Sequence, residues 1–375
     1  MYENAVAAAR VDRRDPVKLE PPRRRLRLGR INLEVRQHLS FWQQALFLGG
    51  SILLGLAVSG ITLVVAGVDA SDLINEFIVD TLFDKESLRA VLFQAAPLNF
   101  VGLGASVAFR VRFWNLGIEG QMIWGGIGAT FVTFFHVGPE ATRIPVMMLF
   151  AVAAGMAWVL VPALLRMKLR VNEIISTLLL NYVAFNFLLH LLYGAWQDPK
   201  DGFPHSPAFQ PFERLPDIAG VSSALLLALL FMLVTAWLAH MSRIGFYMRF
   251  VDANDRMALA VGVPIGAVTL GSVLYSGALS ALGGFVIAAS QEGRLTQSFF
   301  EGYGFSGVLI AFLARNNPVA ATLVALLVAV LFVAGKSLQV FYQIPFAMVQ
   351  LIQAIMVICV AASEFLIRHR VHWVR

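Results

Sequence analysis

A carboxylate and a carboxamide, Glu119 and Gln121, lie in the stretch NLGIEGQMIWGGIGAT at residues 115–130, which is otherwise apolar and rich in glycine. An ionisable group inside an apolar segment must face a cavity or a partner. This carboxylate could meet a polar solute, or it could be stabilised at the positive end of a helix. The glycines permit close helix packing, and equally a broken helix beside a binding site. Both interpretations remain open from the residues alone.

Other polar side chains also fall in or at the ends of apolar segments. With Glu119 and Gln121, the candidates for a polar path are Asn99, Asn172, Glu173, Asn181, Gln350 and Gln353, and Gln94 and Asn186 also fall in such segments. Each amide could instead make an interhelical hydrogen bond of about 0.6 kcal/mol. Because no cluster of Arg or Lys accompanies them, the set predicts a path for a polar, largely uncharged solute.

The sequence lacks the residue spacing that a phosphate-binding loop, a histidine metal site or a serine nucleophile motif requires. AGKSL at 334–338 ends like a phosphate-binding loop, but the first glycine of that motif would have to replace Val330, so Lys336 is expected to extend towards water from a helix end. The seven histidines show no H-x-x-x-H spacing for a metal site. No G-x-S-x-G nucleophile motif is present. We therefore predict no catalytic residues, no metal and no cofactor bound by this chain.

Composition indicates a membrane protein, since 58% of the 375 residues are hydrophobic and 14% are charged, against about 25% charged in soluble domains. Apolar runs that could cross about 30 Å of hydrocarbon as helix recur along the chain. We predict an all-α, polytopic membrane helix bundle of about ten spans, in which 302–314 is too short to cross and forms a half-helix or re-entrant segment. The spans are 41–66, 88–109, 114–136, 145–165, 172–193, 220–242, 263–290, 302–314, 318–335 and 345–367.

Charge placement predicts the orientation. With the N-terminal arm inside, 22 of the 29 Lys and Arg fall on the cytoplasmic side, so both termini are predicted to be cytoplasmic. Residues 1–40, with 10 basic and 5 acidic side chains, are predicted to form a flexible arm that contacts anionic lipid rather than nucleic acid. The transmembrane domain is placed at 41–367 and a basic cytoplasmic tail at 368–375. The outer loop 196–220 could dock a soluble partner or merely join two helices.

The cytoplasmic segment 243–263 contains a short run with a small-residue face around Ala258, flanked by Arg249 and Asp252. A short helix of this kind could fit a groove in a soluble partner. An ordinary interfacial loop would have the same composition, so the residues alone do not separate the two possibilities.

Four stretches resemble the permease subunits of bacterial ABC importers in the simple-sugar and nucleoside group, relatives of the ribose and branched-chain amino acid permeases. FWNLGIEGQMIWGG (113–126) is similar to F-N-x-G-x-E-G-Q, and VNEIISTLLLNYVA (171–184) to N-E-x-x-x-T-x-x-L-N-Y. GYGFSGVLIAFLARNNP (302–318) is similar to G-x-G-F-x-G followed by N-N-P, and RFVDANDRMALAVGV (249–263) to R-A-x-G-x-N-x-x-A-A-x-x-x-G-[IV]. With the hydropathy pattern, the resemblance covers about residues 40–367.

The resemblance implies a coupling site for the ATPase at Arg249, Asp252, Asn254, Ala258, Gly262 and Val263. The chain departs from the family pattern at Asp252, Asp255, Met257 and Ser306. The implied assembly lies in the bacterial plasma (inner) membrane and contains a second permease subunit, two ATPase domains that use ATP and Mg, and an extracytoplasmic solute-binding protein.

The implied function is ATP-driven import of a nucleoside or related purine or sugar solute. A nucleoside is preferred to a free sugar because the first two stretches look more like the nucleoside branch. The alternative is an ion-coupled secondary transporter that uses Glu119 or Glu173 as its proton carrier.

Overall fold

The computed structural model of the chain describes residues 26–28, 31–35, 40–69, 83–218, 221–343 and 345–373. The chain divides into two compact units. One comprises its two ends, up to Ala57 and from Ile358 onwards, and the other is Val58–Val357. These boundaries differ from the predicted ones at 40 and 367, since they fall inside the first and the last long helix rather than at the ends of those helices.

Helices make up most of the described chain. They are α1 (Phe41–Val65), α2 (Lys85–Arg110), α3 (Ile118–Phe134), α4 (Arg143–Leu169), α5 (Glu173–Leu192), α6 (Ser223–His240), α7 (Arg243–Ala253), α8 (Asp255–Ala260), α9 (Ile265–Val286), α10 (Tyr303–Leu313), α11 (Pro318–Tyr342) and α12 (Phe346–Arg368). A π-helical segment, Ile287–Glu292, continues α9.

Among the described residues, seven helices are long and apolar enough to cross a membrane, namely α1, α2, α4, α5, α6, α9 and α11. The prediction of a polytopic helical membrane protein is thereby confirmed. Helix α3 has 17 residues and α10 only 11, so the run at 302–314 forms a helix too short to cross, as its length predicted. Ten crossings and cytoplasmic termini remain predictions.

The unit formed by the chain ends contains a three-stranded antiparallel sheet, which the all-α prediction did not include. Strand β2 (Ile31–Val35) pairs with β1 (Leu26–Leu28) on one side and β5 (His369–Trp373) on the other. Ile31 lies opposite Trp373. Strand β2 of the arm is therefore paired with strand β5 of the tail. Apolar and polar residues alternate along INLEV with the period of two that a strand requires.

In the larger unit, α2 and α9 are the most deeply buried of the helices long enough to span, and α3, α4, α10 and α11 pack around them. Helices α3 and α9 approach to backbone contact. A Cβ added to Gly125 would overlap the backbone of Ala281, and one added to Gly284 would overlap that of Met122. The predicted role of the α3 glycines in close packing is thus seen at this crossing. A short hairpin of β3 (Asp217–Ile218) and β4 (Val221–Ser222) precedes α6.

Candidate functional site

The chain enters α3 through an irregular segment whose centre is a buried pair of carboxamides. Asn115 Nδ2 donates to Gln121 Oε1 at 3.0 Å, and Gln121 Nε2 donates back to Asn115 Oδ1 at 2.8 Å. Asn115 also donates to Ser276 Oγ of α9 at 3.0 Å and accepts from the N–H of Gly117 at 3.1 Å. Gln121 is therefore hydrogen-bonded inside the chain. Its partner Asn115 was not among the predicted site residues, although it belongs to the same stretch.

Helix α5 supplies two side chains that bind the backbone of this entrance. Asn181 accepts from the N–H of Gly120 and donates to the carbonyl of Leu116, each at 2.9 Å. Thr177 Oγ1 accepts from the N–H of Leu116 at 3.3 Å. Backbone groups at the start of a helix lack intrahelical partners. Asn181, predicted as a path residue, provides such a partner and fixes the angle at which the chain enters α3.

Glu119 lies in the first turn of α3 and is half-buried. Its carboxyl group packs on the backbone of Gly304 at the start of α10. A Cβ added to Gly304 would lie 2.9 Å from both Cδ and Oε1 of Glu119. The carboxylate thus sits at the positive ends of two helices, where negative charge is stabilised. Three of the four stretches that carry the family resemblance therefore meet at one place.

The remaining path candidates lie elsewhere. Asn99 donates to the carbonyl of Ala228 at 3.1 Å and accepts from Thr322 at 2.9 Å, so it ties α2 to α6 and α11. Asn172 caps α5 by accepting from Ile174 N–H at 2.9 Å. The other two lie on α12, where Gln350 is exposed and the side chain of Gln353 is outside the described residues.

Glu173 belongs to a chain of contacts at the arginine-rich end of the larger unit. It forms an ion pair of 2.9 Å with Arg166, which also donates to the carbonyl of Arg112 at 2.7 Å. Arg112 in turn donates to the carbonyls of Asp252 and Ala253. Since Arg112 precedes the entrance to α3 by a few residues, these contacts connect the coupling segment to that entrance. Glu173 is thus engaged by Arg166, and its place in a solute path remains a prediction.

The coupling segment consists of α7 and α8 joined at Asn254, whose side chain caps α8 by accepting from Arg256 N–H at 2.8 Å. Helix α8 ends in a Schellman motif. Val263 N–H donates to the carbonyl of Ala258 and Gly262 N–H to that of Leu259, both at 3.0 Å. Gly262 has φ +79°, a left-handed conformation that favours glycine. The predicted short helix around Ala258 is confirmed.

Burial separates the residues predicted for coupling into two groups. Ala258 is fully buried and Val263 is 4% exposed, and the backbone groups of these two residues are joined by the outer hydrogen bond of the Schellman motif. Neither side chain is available to a docked protein. The exposed apolar side chains of α8 and its end are instead Met257, Leu259 and Val261, each at least half exposed. Of the residues predicted for coupling, Arg249, Asp252, Asn254 and Gly262 are exposed.

A cleft lies at the opposite end of the larger unit, where α2 begins and where the π-helical segment and α11 approach it. Its volume is about 510 Å³, and its polar lining comprises Gln94, Gln291, Glu292, Lys336 and Ser337. Gln94 donates to the hydroxyl of Tyr303 at 2.6 Å, and this hydroxyl donates to Gln291 Oε1 at 3.3 Å. Gln291 and Glu292 were absent from the sequence-based candidates because they lie at the end of an apolar run, where polar residues are ordinary.

Backbone hydrogen bonds attach the outer loop to the π-helical segment and to the turn after it. The N–H of Phe209 donates to the carbonyl of Gly293 at 2.8 Å, and that of Leu215 to Ala289 at 2.9 Å. The ion pair Arg143–Glu213, at 3.7 Å and almost fully buried, joins the loop to α4. This loop is therefore more than a spacer between two helices, since it determines where the segment carrying Gln291 lies.

Three side chains of the outer loop that could hold a metal, Asp198, Asp201 and His205, lie within 4.8 Å of one another. The spacing of the histidines did not predict this group. His205 makes an ion-pair contact of 3.0 Å with Asp201 and lies 3.1 Å from Arg294. The nearby guanidinium disfavours a cation, and we assign no metal to this group.

Comparison with known proteins decides the family. The family model described as branched-chain amino acid transport system, permease component, matches residues 87–361. The chain is 37% identical over 334 residues to the glucose ABC transporter permease protein of Haloferax volcanii. The aligned region covers 86% of this chain and 88% of that protein. This chain belongs to the ABC permease family.

Two further relatives of this permease are named for the nucleosides that they transport. The guanosine ABC transporter permease protein of Bacillus subtilis is 28% identical over 323 residues, covering 84% of this chain and 92% of that protein. The nucleoside ABC transporter permease protein of Lactococcus lactis is 24% identical over 294 residues, covering 75% and 81%.

Family membership confirms several predictions. The chain is a membrane permease subunit of an ABC importer, a multi-pass membrane protein and not an enzyme. A permease of this family works with a separate ATPase and a solute-binding protein. The ion-coupled alternative loses its basis, because the chain belongs to a family of ABC transporter permeases and Glu173 is paired with Arg166.

Proposed function

We propose that this permease imports a neutral, hydroxyl-bearing solute, a hexose or a nucleoside. One observation carries the proposal: over more than four fifths of its length, the chain is similar to permeases named for glucose and guanosine. The greater identity to the glucose permease supports a hexose as a candidate solute, in addition to the nucleoside that the sequence motifs favoured.

For the coupling step, we propose that the partner ATPase docks on the exposed side of α8, where Met257, Leu259 and Val261 offer an apolar surface. Movement of α7 and α8 would then pass through Arg112 to the entrance of α3, since this side chain binds the carbonyls at the end of α7. ATP and Mg act on the partner. The permease alternates between two states as packed elements move.

The functional permease is proposed to be a heterodimer with a second, related subunit. Two guanosine permease proteins of Bacillus subtilis and two nucleoside permease proteins of Lactococcus lactis each resemble this chain. Pairs in one organism that share a solute support a two-chain path. Residues 1–40 and 368–375 are proposed to face the cytoplasm, where positive charge favours contact with anionic lipid headgroups.

Uptake in the native host tests the proposed solute class. The gene is deleted and restored on a plasmid, and uptake of radiolabelled glucose, guanosine and leucine is measured at low solute concentration. Glucose or guanosine uptake is expected to fall at least tenfold on deletion and to return with the plasmid, whereas leucine uptake stays unchanged. Loss of leucine uptake alone would assign the permease to amino acids instead.

Reconstitution tests the ATP-driven mechanism. The chain alone, in liposomes with an imposed proton gradient, is expected to move neither glucose nor guanosine. Uptake that collapses when the gradient is removed would establish an ion-coupled transporter.

A further inference from the structure

We propose that the cleft formed by α2, the π-helical segment and α11 is a solute-binding site, used when the solute enters the path from the outer side. This inference rests on the proposed function. The cleft has a volume of about 510 Å³, within the about 300–1,000 Å³ of small-molecule sites. It is therefore large enough for a single hexose or nucleoside.

The lining has the chemistry of a site for a neutral, hydroxyl-bearing molecule. Gln94 and Gln291 offer carboxamide donors and acceptors, while Glu292 and Lys336 add one negative and one positive charge that interact with each other. The charges sum to zero, so no net charge selects an ion. Phe93 provides an aromatic side chain, against which a sugar ring or a base can pack.

The charged side chains of the cleft lie at its mouth and the carboxamides lie deeper. Glu292 and Lys336 are exposed at the mouth of the cleft, whereas Gln94 is 5% exposed at its floor. There the hydroxyl of Tyr303 lies between Gln94 and Gln291, and Gln291 is further held by the carbonyl of Phe93 at 3.2 Å. Buried amides that already have fixed partners are pre-organised to bind, because little side-chain freedom is lost when the solute arrives.

Two features join this cleft to the rest of the transporter. Gln291 and Glu292 lie on a π-helical segment, a deviation often found at functional sites, and the outer loop binds the carbonyls of Ala289 and Gly293 beside them. Tyr303 at the floor is followed by Gly304, on which Glu119 packs. A solute bound to Gln94 or Gln291 would thus be linked, through the hydroxyl of Tyr303, to the same short helix, α10, that packs on the entrance of α3.

Transport kinetics provide the first test, in the native host with the intact transporter. Glu292→Gln and Lys336→Met are each expected to raise the KM for uptake of radiolabelled glucose or guanosine at least tenfold, while the amount of permease in the membrane stays constant. Lys85→Met, which removes an exposed lysine outside the cleft, is the matched control and should leave KM unchanged. Wild-type KM in both cleft variants would overturn the proposal.

Cysteine protection provides a second test that does not depend on transport. The chain has one cysteine, so Cys359→Ser gives a cysteine-free background into which Ser337→Cys is introduced in the cleft. Millimolar glucose or guanosine is expected to slow labelling of this cysteine by a methanethiosulfonate reagent at least threefold. Thr142→Cys, in an exposed turn, should be labelled at the same rate with and without solute. Equal rates at Ser337→Cys would overturn the proposal.

The two proposals fail in different ways. If wild-type cells transport neither solute, the proposed solute class is wrong. If wild-type cells transport one of them while the cleft variants keep wild-type KM and show no protection, only the cleft assignment is wrong.

Discussion

The carboxyl group of Glu119 rests on the backbone of Gly304, so that the first turn of α3 and the first turn of the short helix α10 are held together. A Cβ on Gly304 would overlap the side chain of Glu119, so this position has room only for glycine. The charge and the glycine are therefore complementary, and each explains why the other is tolerated in an apolar segment.

Gly304→Ala is expected to reduce uptake at least tenfold, because the added methyl group displaces the Glu119 carboxyl group from α10. Uptake per permease molecule in the membrane measures the effect. The matched control is Gly271→Ala in α9, where an added Cβ meets no atom within 4 Å. If both variants transport like the wild type, the contact between Glu119 and Gly304 has no role in the transport cycle.

Asn181→Leu is expected to destabilise the permease by about 1–3 kcal/mol, because it removes the partner of a half-buried backbone N–H and carbonyl at the entrance of α3. Denaturant unfolding in detergent micelles measures the change. Asn186→Leu, one turn further along α5, should have little effect, since Asn186 is exposed and bonds only to its own helix. Equal stability of the two variants would contradict the bridging role.

Met257→Ala combined with Leu259→Ala is expected to abolish most solute-stimulated ATP hydrolysis by the assembled transporter without lowering its melting temperature. Both side chains are exposed on α8, so their removal takes away the proposed docking surface and little internal packing. The opposite pattern is expected for Ala258→Leu, which overpacks a fully buried position at a cost of about 1–3 kcal/mol. Normal coupling in the double variant would move the docking site elsewhere.

Glu213→Leu is expected to destabilise the permease by about 3–5 kcal/mol, because it leaves the buried charge of Arg143 without its partner. Adding Arg143→Met should recover part of the loss, and the unfolding free energies of the two singles and the double variant measure the coupling. Asp217→Asn, which breaks the exposed pair with Arg89, should cost less than about 1 kcal/mol. Additive losses would show that the outer loop is held by other contacts.

The coupling segment shows how far sequence patterns reach. Asn254, Ala258, Gly262 and Val263 match the family pattern, and the structure gives each a local role: Asn254 caps α8 and the other three form its Schellman end. The pattern therefore predicted the helix correctly, while the burial of Ala258 and Val263 leaves the contact surface to other residues in our proposal. A residue that shapes a turn and a residue that contacts a partner can match the same sequence pattern. Their burial in the structure distinguishes the two roles.

The sequence by itself determined the class of this protein, its helical membrane-spanning segments and the short helix at 302–314, because apolar length and local backbone preference are properties of consecutive residues. It also placed Glu119, Asn181 and Gly304 in recognisable stretches. Only the tertiary structure decided that these three stretches meet, that Gln121 pairs with Asn115, and that Gln94, Gln291 and Lys336 line one cleft. Such contacts join residues up to about two hundred positions apart, and they depend on how helices pack, which no local pattern encodes.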